Sequence, residues 1–151
     1  MITKSEIISE AFYANFDEAD IKQSYIDLAL DNTLKPLLGD TLFESVTAAS
    51  PDADHVTLRD SYCKPLVSYA VKSLVISNVT PRATNIGASY TMQPNATASE
   101  GARDNALEVN DQMINQYKQR LITFLRSNSS TYVWAELDLN RDFLTNRIFV
   151  I

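Results

Sequence analysis

A chain of 151 residues and 16.9 kDa is long enough for one compact domain that buries about 70% of the surface its unfolded form exposes. With 45% hydrophobic and 21% charged residues it has a globular composition, which excludes global disorder, a collagen-like repeat and a coiled-coil rod. Net charge is −6 and the isoelectric point is near 4.7, against the dense basic face of a primary duplex-DNA binder.

In chain order, Thr3 and Glu6 have the spacing of a capping box, so a short helix is expected over residues 4–12. Asp17, Glu18 and Asp20 place negative charge where the first turn of a second helix would lie. That helix carries its apolar residues Ile21, Tyr25, Leu28 and Ala29 at steps of three and four, with Lys22, Asp27 and Asp31 on the other side. Pro36 is expected to end or kink it near Leu34, and Gly39 to stop it. Thr41 with Glu44 predicts a second capping box and a helix to about Thr47.

After a polar turn around Pro51, a long helix is expected from Asp54 to about Asn78, bent at Pro65. Leu66, Val67, Ala70, Val71, Leu74 and Val75 make it apolar over much of its circumference, as a central helix requires. Residues 80–98 hold two prolines, one glycine, small polar residues and one charge, Arg82, and read as an extended arm or irregular hairpin. Thr97 with Glu100 predicts a third capping box, opening a helix to about Ser127 with a stripe of Ala102, Ala106, Val109, Met113, Tyr117, Leu121 and Phe124. A tail follows and ends in Ile148, Phe149, Val150 and Ile151. No internal repeat is visible. The expected fold is therefore mainly α: a small helical bundle over residues 1–137, a protruding arm or hairpin at about 80–98, and an extended tail over 138–151.

Charge is unevenly spread along the chain. Residues 1–60 carry 12 acids against four bases, a net −8, whereas the remainder is +2. Such a split is either simple solvation or the basis of head-to-tail self-association, in which the acidic flank of one copy meets the basic flank of the next.

Residues suited to chemistry are few. The lone histidine, His55, stands near Asp52 and Asp54, a set that could hold a divalent ion. Carboxylates at a helix start also complement the helix dipole, and that reading is adopted here. The only thiol, Cys63, falls within the long helix, where a buried, inert side chain is expected. No catalytic, cofactor-binding or metal-binding residue is assigned, and no cofactor is expected. Tyr90 and Met92 lie in the arm, away from any local core, and with Arg82 they are candidate interface residues. Phe143, Ile148, Phe149, Val150 and Ile151 of the tail are further candidates for docking on a partner, by adding a β-strand to its sheet edge. Residues 1–10 have no apolar stretch of signal-peptide length, and residues 66–79 are too short and too polar to span a bilayer, so neither secretion nor a membrane partner is expected.

The order of parts resembles the head-to-tail connector or head-completion proteins of tailed bacteriophages, in particular the small helical type of crAss-like and other Bacteroidetes phages. The resemblance is carried by Ile2-Thr3-Lys4-Ser5-Glu6-Ile7, by Ile21 and Tyr25-Ile26, and by Leu34-Lys35-Pro36-Leu37-Leu38-Gly39-Asp40-Thr41-Leu42. It continues through Tyr62, Lys64-Pro65-Leu66 and Ser68-Tyr69-Ala70, then Leu121-Ile122, Phe124-Leu125 and Asn128-Ser129-Ser130. It covers about residues 2–132, and the tail has no counterpart. The resemblance implies a structural virion protein that is not an enzyme. Such a protein assembles as a ring, usually of twelve copies, beneath the portal protein and above the next tail or ring protein. DNA would pass through this ring during ejection without being specifically bound. The expected location is the head–tail interface of the virion, with the host cytoplasm as the place of assembly. A rival expectation is an acidic helical module of DNA-mimic type that binds a host protein, since spaced surface carboxylates imitate phosphates.

Overall fold

The structure is a computed structural model that describes residues 2–12, 16–78, 82–84, 87–93, 96–98, 100–132 and 134, with the backbone alone in the three strand segments and at Glu100 and Ala102. The fold is mainly α; the described residues form five helices, with a small antiparallel sheet between the last two. Helix α1 (Lys4–Ala11) opens with the expected capping box: the Glu6 amide donates to Thr3 Oγ1 at 3.3 Å, and the Thr3 amide donates to Glu6 Oε2 at 2.8 Å.

Asp17, Glu18 and Asp20 do not form the first turn of the next helix. They make a separate 3₁₀ turn (Glu18–Asp20), capped by Asp17, whose Oδ1 accepts the Ala19 amide at 2.9 Å. Helix α2 then runs as α-helix over Gln23–Ala29, as a π-turn over Leu30–Leu34, and as α-helix again over Lys35–Leu38. Pro36 therefore neither ends nor breaks it. A proline ring clashes with the carbonyl four residues back. The π-turn absorbs that conflict with one additional residue, and the Lys35 amide reaches back five residues to the Leu30 carbonyl. Gly39 does stop the helix: its φ of 75° and ψ of 164° are open to glycine alone. The same residue caps the start of α3 (Asp40–Thr47), so the capping box expected at Thr41 is absent, because the helix has already begun.

Helix α4 repeats the device of α2. It comprises Ala53–Leu58, a π-turn over Arg59–Cys63 and a longer α-helical stretch, Lys64–Ser77, with Pro65 just after the π-turn and the Lys64 amide bonded to the Arg59 carbonyl. Both π-turns have Asp in second place and are followed by Lys-Pro-Leu: Leu30-Asp31-Asn32-Thr33-Leu34-Lys35-Pro36-Leu37 and Arg59-Asp60-Ser61-Tyr62-Cys63-Lys64-Pro65-Leu66. This is a short internal repeat, where none was expected.

Strands β1 (Arg82–Thr84), β2 (Gly87–Gln93) and β3 (Ala96–Ala98) pair antiparallel in that order, with Arg82 opposite Ser89 and Tyr90 opposite Ala98. A bulge interrupts the second pairing between Thr91 and Gln93. The expected arm is thus a three-stranded meander. Thr97 belongs to β3, and α5 runs over Glu100–Ser127.

The core is built around α4. Pro65, Leu66, Val67 and Ser68 are all buried, and four consecutive buried residues leave almost no free side on a helix. Ile7 of α1, Ile26, Leu34 and Leu38 of α2, Leu42 and Val46 of α3, and Leu121, Ile122 and Leu125 of α5 close on it. Two members of the expected stripes face outward instead. Leu28 is 46% exposed and its place is taken by Ile26; Val109 is 51% exposed and its neighbour Asn110 is buried.

Asn110 forms a polar seam between α4 and α5. Its Nδ2 donates to the Tyr69 carbonyl at 2.8 Å and to Ser73 Oγ at 2.6 Å, and Ser73 Oγ in turn donates to Asp111 Oδ1 at 3.3 Å.

Candidate interaction surfaces

The best-tied charges join α1 to α4. Lys64 Nζ lies 2.8 Å from Glu6 Oε1 and 3.2 Å from Asp60 Oδ1, and Arg59 Nε donates to Asp60 at 2.8 Å. The hydrogen bond from Lys64, helped by the Thr3 amide, holds the Glu6 carboxyl at about 2, well below its ordinary 4.5, against an opposing effect of burial. Arg59 and Lys64 hold Asp60 below the usual carboxylate range in the same way. Each charge of the network has an opposite neighbour, so this cluster ties the fold and offers no unsatisfied group to a ligand.

The grouping at the start of α4 is a helix cap. Asp52 Oδ1 accepts the His55 amide at 2.9 Å and lies 2.7 Å from His55 Nδ1, while Asp54 uses its backbone carbonyl to receive Tyr132 Oη at 3.1 Å. Tyr132, itself buried, also packs 5.7 Å from Phe124, and so pins the chain leaving α5 onto the start of α4. Among the described residues, no group of three histidine, cysteine or acidic side chains is arranged to hold a metal ion. Cys63 is completely buried, and burial raises its thiol far above the ordinary range, so the thiolate needed for nucleophilic chemistry does not form.

Two surfaces differ in charge. The outer face of the 3₁₀ turn and α2 exposes Glu18, Asp20, Ser24, Asp27, Leu28 and Asp31; among the described residues these acids have no cationic partner. The C-terminal half of α5 is the reverse, with no acid between Gln112 and Trp134. Gln116, Gln119, Arg120, Thr123, Arg126 and Ser127 are all exposed there, and their spacing keeps them within about 60° of one helical line. Gln116, Gln119, Arg120, Thr123 and Ser127 also line an open groove of about 490 Å³. Its apolar contribution comes from Tyr62 and Phe124, whose rings stack at 4.1 Å. Arg120 is steadied over the Tyr117 ring at 5.4 Å.

The interface residues expected from sequence are distributed differently. Arg82 falls in β1, and Tyr90 and Met92 in β2, so the sheet brings those three positions onto adjacent strands. Phe143, Ile148, Phe149, Val150 and Ile151, with the rest of the expected docking tail, lie outside the described residues. The groove on α5 was not anticipated. A run without acids between Gln112 and Trp134 signals it in the sequence, but the Tyr62–Phe124 floor joins residues 62 positions apart and has no local signature.

Fold and surfaces together define a mainly α protein with five helices among the described residues, in which the outer face of α2 is acidic and the C-terminal half of α5 carries bases without acids. Residues 34–136 match DUF6712, a family of unknown function, and the chain belongs to that family. No curated protein and no solved structure matches it. No described helix is long and apolar enough to cross a membrane.

Proposed function

We propose that this protein is a structural subunit of a tailed-bacteriophage virion: a head-to-tail connector that assembles as a ring beneath the portal protein and makes no specific DNA contact. The observation that carries the reading is the sorting of exposed charge, acids on the 3₁₀ turn and α2 and bases without acids on the C-terminal half of α5. A ring of identical copies needs two different, complementary faces on every subunit. The motif that contributes most to the phage resemblance, Leu34-Lys35-Pro36-Leu37-Leu38-Gly39, forms the corner that joins α2 to α3 and buries Leu34, Leu37 and Leu38. In this reading the meander at 82–98 and the tail at 138–151 contact neighbouring copies, the portal and the next tail or ring protein. The lumen of a ring carrying −6 per copy repels DNA, so the genome slides through without being held.

The test is mass. The purified protein, alone and mixed with the portal protein of its own phage, is passed over a column with light-scattering detection. A ring in either sample supports the reading. A monomer or dimer in both removes it and leaves an acidic module that binds a host protein as the explanation to pursue.

A further inference from the structure

We infer that the groove on α5 receives the outer face of α2 from a second copy of this chain, with Leu28 as the apolar anchor and two aspartates meeting two arginines at the rim. The inference rests on the ring reading above and names the contact that would build it.

Leu28 is a large apolar side chain, 46% exposed, on a helix whose other faces find core partners, and burying it is favourable by on the order of 1 kcal/mol or more. It is not isolated. Asp27 precedes it and Asp31 follows one turn later, so an exposed leucine is bracketed by carboxylates about 6 Å apart along the helix. Asp31 has no cationic partner among the described residues, and Asp27 accepts only the Gln23 amide at 3.0 Å.

The groove is the counterpart of that pattern. Its floor is the stacked Tyr62–Phe124 pair, and amide and hydroxyl groups line its walls. Arg120 and Arg126 stand on either side of the Thr123 line, separated by about 9 Å along the axis, with no acidic partner among the described residues. An apolar centre inside a polar, charged rim is the anatomy of a protein interface. The two surfaces sit on separate helices that each pack against α4, so one copy does not use the same patch as both donor and acceptor. A heterologous contact of this kind propagates from copy to copy until it closes.

The experiment compares the wild-type protein with Arg120→Glu/Arg126→Glu and with Asp27→Lys/Asp31→Lys, alone and with portal, by sedimentation velocity at about 20 mM and about 150 mM salt. All four positions are exposed, so circular dichroism and Tm should remain those of the wild type. Each double reversal sets like charge against like and should weaken assembly by at least tenfold, whereas an equimolar mixture restores opposite charges at every contact and should recover it. Leu28→Ala should weaken assembly roughly tenfold with little response to salt. If the wild type assembles and either reversal assembles equally well, or if the mixture fails to recover, this contact is wrong while the ring stands. If the wild type assembles neither alone nor with portal, the ring reading itself falls and the contact with it.

Discussion

Substitution of Glu6 separates two roles held by one side chain. Its Oε2 closes the capping box of α1 and its Oε1 pairs with Lys64 of α4. A shift of the carboxyl from 4.5 to about 2 corresponds to roughly 3 kcal/mol if none of it is screened. The Glu6 side chain is 35% exposed, however, and exposed pairs deliver about 1 kcal/mol or less, so about 1 kcal/mol is the working figure. Because the folded-state pKa is depressed, this contribution is complete above about pH 4.5 and is lost as the pH falls towards 2. Glu6→Gln retains a capping-box acceptor but has no charge, so it should lose about 1 kcal/mol at pH 7 and almost nothing near pH 2. Glu6→Ala removes the cap as well and should lose roughly 2 kcal/mol at pH 7, retaining about half of that loss at low pH. Urea denaturation of the three proteins at pH 2.5, 4 and 7 measures these differences, and at this chain length each kcal/mol moves Tm by about 2–4 °C. Equal losses for Gln and Ala, or a Gln deficit that does not shrink in acid, would refute the assignment.

Three further outcomes follow from buried or constrained positions. Ser68 Oγ is fully buried and has no hydrogen-bond partner among the described residues, so Ser68→Ala should leave stability unchanged or raise it by up to about 1 kcal/mol, read as a higher urea midpoint. Gly39→Ala places a side chain at φ 75°, ψ 164° and should cost roughly 1–3 kcal/mol, with a fall in Tm and a loss of helical signal if the α2–α3 corner rearranges. Cys63 should resist a thiol reagent at pH 8 in the native protein and react at the rate of a free thiol once urea unfolds it; rapid native labelling would contradict its burial.

The helices were legible because their signals are local. Thr3 with Glu6, Gly39, and the apolar density of residues 66–75 each act within a turn or two, and each is found where the sequence places it. The failures have physical causes. Thr41 and Glu44 carry a valid capping pattern, but Gly39 at positive φ ends one helix and begins the next, leaving the pattern inside α3. A stripe counted at 3.6 residues per turn selected Leu28 and Val109, while the packed faces run through Ile26 and Asn110, one residue or two away. Asn110 gives no apolar signal, because its side chain is an amide, yet its two hydrogen bonds to α4 make burial tolerable. The groove depends on a tertiary pairing of Tyr62 with Phe124, which no window along the chain contains.

The paired π-turns have a consequence for how this chain tolerates change in length. An additional residue within a helix rotates everything beyond it by about 100°, so each Lys-Pro-Leu site acts as a phase adjuster between two stretches of one rod. In α4 the stretch before the adjuster holds Asp54, on which Tyr132 rests, and the stretch after it carries Ser68, Val71 and the seam with Asn110. Removing one residue from Arg59–Cys63 would return the turn to α-helical pitch and bring the Pro65 ring back against a carbonyl, while turning the first stretch out of step with the second. A single deletion there should therefore unseat both ends of the central helix, whereas a deletion of equal size between Ala48 and Pro51 would shorten a surface turn and leave both in register.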